Sequence, residues 1–496
     1  MKLHLLTPPA AQTADSNAVV WDKQGQDKTY TIFLDGEKIG SCQCTDYTIT
    51  GLQPDTEYVI EVQSEMAAES IKAKTRKLTK VLDVTEFGAV DDGKTLNTEA
   101  IQLAIDACPE NGIVKIPAGT FLSGAIFLKS DMTLMLDEGA VLLGSPHTKD
   151  YPVKDYFFEG RSEKCYASLI NGSNYDGSRM KNIAIVGKGK IDANGSKLMK
   201  EELAENLGSR GRAICIFETD NLYLYGITVK QSPAWCVHSI YCDGVTMNQI
   251  HVRTKTDEDG TRYEGIYNGD GIDPDSCQNV YIIHSVVASQ DDCIAVKSGR
   301  DEEGRRIGVP SENIRITNCR FLSGFGVAMG SEMSGGVRNV LVQDCEFIDT
   351  FSLASVKNRR GRGSVIENVV YEDITFVNNS TEHLDTKWFK GGIYVDQYYG
   401  CDDVDEMTEK DVWEGTPTIR NIYFKNITAD TIVSSAIYLV GLPEMPLKNI
   451  CFENVQAAGK WGLKAYNIRG LKMENVSVTA REGETFRMHN VENEEL

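Results

Sequence analysis

One motif recurs down most of this chain and limits what it can fold into. Asparagine or glycine precedes alternating apolar residues in Asn182-Ile-Ala-Ile, Asn221-Leu-Tyr-Leu, Gly244-Val-Thr-Met, Asn279-Val-Tyr-Ile and Asn313-Ile-Arg-Ile. The pattern continues through Asn339-Val-Leu-Val, Asn368-Val-Val-Tyr, Asn421-Ile-Tyr-Phe, Asn449-Ile-Cys-Phe and Gly470-Leu-Lys-Met. The shortest intervals, Asn449 to Gly470 and Asn221 to Gly244, are 21 and 23 residues. A strand-rich period of about 20 to 30 residues marks a solenoid, because each short repeat buries its apolar face only against its neighbours. Asparagine tolerates the left-handed turn conformation, and its amide can bond the next one along a ladder. The expected fold is all-β, a right-handed parallel β-helix over residues 79–496.

Residues 1–78 follow a different rule. The runs Ala18-Val-Val-Trp21, Tyr30-Thr-Ile-Phe-Leu34 and Tyr58-Val-Ile-Glu-Val62 are separated by turn signals at Asp35-Gly36 and Pro54-Asp55. That is the pattern of a small antiparallel β-sandwich. The stretch from Tyr47 through Leu52 and Pro54 to Tyr58 resembles the strand-corner-strand signature of fibronectin type III domains. The module carries no catalytic constellation, so a packing or spacer role is expected. Near the start of the second region, Ala100, Ile101, Ala104, Ile105 and Cys108 fall at helical spacing. This predicts a helix capped by Asn97 or Thr98 that covers the open first coil.

Carboxylates concentrate in two segments. The first is Asn268-Gly-Asp270-Gly-Ile-Asp273-Pro-Asp275, and the second is Ser289-Gln-Asp291-Asp292-Cys-Ile-Ala-Val-Lys297. Asp270 and Asp291 are 21 residues apart, one coil by the shortest repeat. Adjacent strands lie about 4.8 Å apart, so Asp270, Asp291 and Asp292 are expected in one patch. Crowded carboxylates push one pKa upward. That supplies a protonated acid beside ionised bases, the pair that glycosidic cleavage uses.

These two segments resemble the aspartate motifs of the polygalacturonases, glycoside hydrolase family 28, and Phe87-Gly-Ala-Val-Asp-Asp-Gly-Lys fits the family's opening. The resemblance runs over about residues 82 to 480. It implies Asp291 as general acid, Asp270 and Asp292 positioning the water, and inversion in a single displacement. Two departures stand out. Where the family usually has Gly-His-Gly, this chain has Gly324-Phe325-Gly326, and where it usually has Arg-Ile-Lys, this chain has Ser355-Val356-Lys357. The insert Gly299 to Asn313 is similar to bacterial exo-acting members, whose loops close one end of the cleft.

An acidic substrate needs local cations. The candidates for binding it are Lys297, Arg300, Lys357, Arg359 and Arg360, with Asn268 beside the first aspartate and Tyr398 as a stacking platform. Trp235, His238 and Tyr399 are further candidates for the cleft wall. The expected activity is exo-hydrolysis of pectin-derived, galacturonate-containing oligosaccharides. Rhamnogalacturonan or decorated galacturonan, a calcium-dependent pectate lyase and a non-catalytic glycan binder stay open as alternatives. No cofactor and no metal are expected.

The net charge of −21 over 496 residues argues against a nucleic-acid partner. No stretch approaches the length of a membrane span. The apolar run after Met1 is too short for a signal peptide. Thirteen cysteines are scattered without a Cys-x-x-Cys pair, which suits buried reduced thiols and a cytoplasmic site. Oligomeric state is not legible.

Overall fold

In the computed structural model, which describes residues 2–25, 29–174, 177–382, 388, 390–402 and 404–493, the repeating asparagines stack. Asn221 donates to Asn182 at 3.0 Å, Asn313 to Asn279 at 3.3 Å, Asn339 to Asn313 at 3.2 Å and Asn368 to Asn339 at 3.1 Å. Asn421 and Asn449 extend the ladder at 3.0 and 2.9 Å. Each of these residues is left-handed, with φ between 53° and 63°. The turn frees the side-chain amide, and the ladder uses it.

Inside the turns, the apolar positions also stack. Val280, Ile314, Val340, Val369, Ile422, Ile450 and Leu471 lie in parallel register on successive coils, and all are buried. The result is a right-handed parallel β-helix. Its first strand is Val81–Asp83. The helix Thr98–Ala107 lies over the opening coils and buries Ile101, Ala104 and Ile105. Asn97 takes the N-cap position as expected, and its carbonyl accepts from Ile101 N–H at 2.9 Å. Its side chain makes no cap bond and instead accepts from Val90 N–H at 2.7 Å. Thr98 Oγ1 likewise accepts from Gly124 N–H at 2.7 Å.

The N-terminal strands form two small antiparallel sheets, Ser16–Val20 with Asp46–Thr50, and Glu37–Cys42, Tyr30–Leu34, Glu57–Gln63 and Ala68–Lys74. Trp21, Tyr30, Ile32, Ile60 and Val62 fill their core. The Tyr58 hydroxyl accepts from Gln53 N–H at 2.9 Å and pins the corner. The unit lies along the flank of the solenoid. Lys23 bridges Asp344 and Asp373 at 2.7 and 2.6 Å, Arg315 donates to the Trp21 carbonyl at 2.8 Å, and Ala10, Ala11 and Ala18 pack on Ala184 and Tyr223. Among the described residues, no helix is long and apolar enough to cross a membrane.

Candidate active site

Close approach of three coils builds the carboxylate cluster. Strands Ile272–Asp275 and Ile294–Val296 pair in parallel with Ile272 opposite Ile294. Gly271 N–H donates to the Asp292 carbonyl at 2.9 Å. A Cβ on Gly271 would stand 2.5 Å from the Cys293 carbonyl oxygen, so only glycine permits this contact. On the next coil Gly324 has φ +97°, and its Cβ would stand 2.3 Å from the Asp291 carbonyl oxygen. Phe325 N–H donates to that same carbonyl at 3.0 Å. These contacts bring one oxygen from each of Asp270, Asp291 and Asp292 within 4.8 Å of one another.

Two lysines answer the negative charge. Lys297 Nζ lies 3.3 Å from Asp270, 3.5 Å from Asp273 and 3.4 Å from Glu332. It also sits 4.2 Å above the Trp235 ring. Lys357 Nζ is ion-paired with Asp292 and lies 5.0 Å from the centre of the Tyr399 ring. Burial disfavours both ammonium groups, but the carboxylates outweigh it and raise both pKa values. The cluster is thus met by cations of the chain itself. Its spacing alone would also suit a hard divalent cation.

Asp291 makes no ion pair among the described residues. Burial, then the charges of Asp270 and Asp292, push its pKa up to about 8. Burial also lifts Asp292, but Lys357 restrains it at about 6. Between these values the cluster holds a protonated acid next to an ionised carboxylate, with the two titrations belonging to the group as a whole. Asp292 Oδ1 is buried without a hydrogen-bond partner, an acceptor left over for a water. Glu332 behaves in the opposite way. Burial opposes its charge, yet Lys297, Arg362 and Lys357 hold it down to about 2.

The cluster floors a cavity of about 480 Å³. Asn268 lines it, held by Arg210 at 2.7 Å. Arg300 lines it and pairs with Glu159 at 2.9 Å. Arg359 lines it and, among the described residues, makes no ion pair. Lys297 and Lys357 line it too, although their charge is already shared with carboxylates.

Arg360 and Tyr398 are corrections to the expectation. Tyr399 lines the cavity, while Tyr398 packs with Tyr438, Val440 and Leu442 and donates its hydroxyl to the Asp405 carbonyl at 2.6 Å. Arg360 follows Tyr398 and grips Glu444 at 2.6 and 2.9 Å. Trp235 lines the cavity, but His238 is wholly buried behind it, 3.5 Å from Asp275, where burial holds the imidazole neutral.

Sequence reasoning did not single out Glu159, Glu332 or Trp388, all on the wall. Glu332 alone had a local signal, two residues beyond Gly330 on the coil after the aspartate pair. Glu159 and Trp388 come from loops outside the repeat, where no periodicity points to them.

The insert forms the short helix Asp301–Ile307. A hairpin of strands Val153–Phe158 and Arg161–Tyr166 braces it through Arg161 to Asp301 at 2.6 Å and Ser162 to Glu303 at 2.7 Å. On its other side Arg362 pairs with Asp301, and Arg305 donates to the Gly361 carbonyl. From this assembly Arg300, just before the helix, and Glu159, in the hairpin turn, reach the cavity wall as an ion pair.

The two departures have structural explanations. Phe325 packs with Phe351 and Val433, so that coil is completed by apolar contact where a histidine would have needed a polar one. Ser355 is fully buried and donates to the Phe325 carbonyl at 3.3 Å, with Ser352 doing the same at 2.7 Å. Phe325→His is expected to give no gain in rate and a lower melting temperature, because its ring nitrogens would enter this apolar cluster. Steady-state kinetics with a thermal melt checks both.

The sequence model of "Glycosyl hydrolases family 28" matches residues 114–493. A probable polygalacturonase of Vitis vinifera is 31% identical over 405 residues, covering 79% of this chain and 76% of that protein. An exo-poly-alpha-D-galacturonosidase of Dickeya chrysanthemi is 30% identical over 347 residues, covering 60% of this chain and 56% of that protein. Among solved structures, a family 28 exopolygalacturonase of Yersinia enterocolitica superposes with a TM-score of 0.79 at 22% identity, covering 99% of this chain and 98% of the other.

Proposed function

Because the chain belongs to glycosyl hydrolase family 28 and is a glycoside hydrolase, we propose that it removes units from the end of acidic, galacturonate-containing oligosaccharides. The carrying observation is the three-carboxylate cluster at the floor of a cavity. Asp291, kept protonated by burial and its neighbours, gives its proton to the glycosidic oxygen as the C–O bond breaks. A water held between Asp270 and Asp292 adds to the anomeric carbon and leaves its proton on one of them. The Arg300–Glu159 pair on the cavity wall, backed by the helix Asp301–Ile307 and its hairpin, supports attack at a chain end. Substrate carboxylates fit Arg359, whose guanidinium lacks an internal acid partner among the described residues.

Incubation with defined pectic oligomers tests this: release of a small saturated product with a new reducing end is expected. An unsaturated, ultraviolet-absorbing product that disappears on chelation would identify a lyase instead. Chelation is expected to leave the rate unchanged, since Lys297 and Lys357 already neutralise the cluster.

Arg359→Ala is expected to raise KM about tenfold or more, the loss of one charge-assisted contact, with kcat nearly unchanged. A tenfold fall in kcat with KM unchanged would mean instead that Arg359 acts on the transition state alone.

Direct attack by the water between Asp270 and Asp292 inverts the anomeric centre, as the family resemblance also implies. The anomer of the fresh product, followed by NMR, checks this, and a retained anomer would require a covalent intermediate instead.

The chain's thirteen cysteines are all free, nine of them buried. This supports a reducing compartment, the cytoplasm, as its place of work. Fractionation of the source cells with the activity as marker tests it.

A further inference from the structure

A second groove, of about 930 Å³, lies further along the row of strands that carries the catalytic cavity. In that row Ala328, Ser355, Tyr394, Tyr438, Lys464 and Arg487 lie in register on successive coils. At about 4.8 Å per strand, the four steps from Ser355 to Arg487 span roughly 19 Å. Between the two spaces lie the packed rings of Phe325, on the cavity, and Phe351, on the groove, with centres 5.9 Å apart.

The groove has the chemistry of a site for acidic sugars. Lys390, Lys464 and Arg487 line it against one acid, Glu484. Lys390 and Lys464 lie 5.3 and 5.2 Å from the centre of the Tyr438 ring. Their charge is shared with Asp396 and Glu406. Arg487 makes no ion pair among the described residues. Trp461 is 45% exposed and carries the Lys460 ammonium 4.8 Å from its ring centre; an indole of this kind stacks on a pyranose with its other face. The Arg300–Glu159 pair stands on the cavity wall in front of the helix Asp301–Ile307, so a chain whose end is held at Asp291 is taken to leave on the groove's side.

We propose that this groove binds the distal, carboxylate-bearing sugars of the acidic oligosaccharide whose end occupies the catalytic cavity, with Trp461 stacking on a ring and Arg487 gripping a carboxylate. The inference rests on the function proposed above and deepens it: the enzyme is a reader of chain length. Its place on the cavity's own row of strands and its cationic lining favour this occupant over a second copy of the chain.

The test compares wild type with Trp461→Ala/Arg487→Ala on a series of oligogalacturonides of increasing length. In the wild type KM should fall as length increases past what the cavity holds. In the double variant that gain should vanish, with KM for the longest oligomers up about tenfold. KM for the dimer, and kcat throughout, should stay unchanged. Turnover of the dimer reports on the proposed function by itself, so a failure there is distinguishable from a failure of the groove. Three results overturn the groove: the same KM at all lengths in wild type, an equal KM change on short and long substrates in the variant, or a wild-type dimer in sedimentation that the variant dissolves. The last would give the groove to a second copy.

Discussion

Asp291→Asn should lower kcat by about 10²–10⁴-fold, the usual worth of a positioned general acid, while substrate still binds. Asparagine keeps the shape and donates hydrogen bonds but cannot release a proton to the leaving oxygen. The same substitution should raise stability at neutral pH. The sign follows from linkage. Burial and the neighbouring charges raise the folded pKa of Asp291 to about 8, above its ordinary carboxylate value of about 3.9. Stability from this group is complete below the unfolded value and is lost as pH climbs toward the folded one. The asparagine variant has no proton to lose, so its melting temperature should exceed wild type by a gap that widens from about pH 4 to about pH 8. Melts across that range, beside single-turnover rates, separate a lost acid from a lost fold. A variant with wild-type kcat removes Asp291 from the acid role. The wild-type rate itself should be bell-shaped. It falls below about 6, where Asp292 protonates, and above about 8, where Asp291 ionises.

Lys297→Met has the second large expected effect, and the effect is on the whole cluster. The ammonium is nearly buried and is shared by Asp270, Asp273 and Glu332 within 3.5 Å. Removing it leaves buried carboxylates without their counter-charge, a change that costs about 3–5 kcal/mol in comparable sites. Urea unfolding with linear extrapolation measures it. Lys297 also lowers the pKa of Asp291 and of Asp292. Its loss should therefore move both limbs of the rate profile to higher pH. Lys297→Arg should restore much of the stability, since the charge returns. An unshifted profile in the methionine variant would show that the lysine serves the substrate and not the cluster.

The catalytic cluster was legible because it is written in the repeat. Asp270 and Asp291 are one coil apart in number, and parallel register turns that number into proximity. The cations were legible only as a population. The segment from Lys357 to Arg362 holds four of them within six residues, and nothing local says which face each takes. Arg359 reached the cavity, Arg360 went to Glu444, and Arg362 went to Asp301 and Glu332. Their acid partners lie as far as 84 residues away in the chain, beyond any pattern of spacing.

The sequence by itself determined the architecture, because asparagine turns and alternating apolar residues act between neighbouring coils and repeat until the core is closed. It also determined which carboxylates meet, for the same reason. Only the tertiary structure decided how charge is distributed among them. Loops that obey no repeat bring in Glu159 and Trp388, and the burial and counter-charges of the finished fold raise Asp291 while holding Glu332 ionised. A proton's position depends on every charge around it, and those charges are assembled only when distant coils and loops have packed.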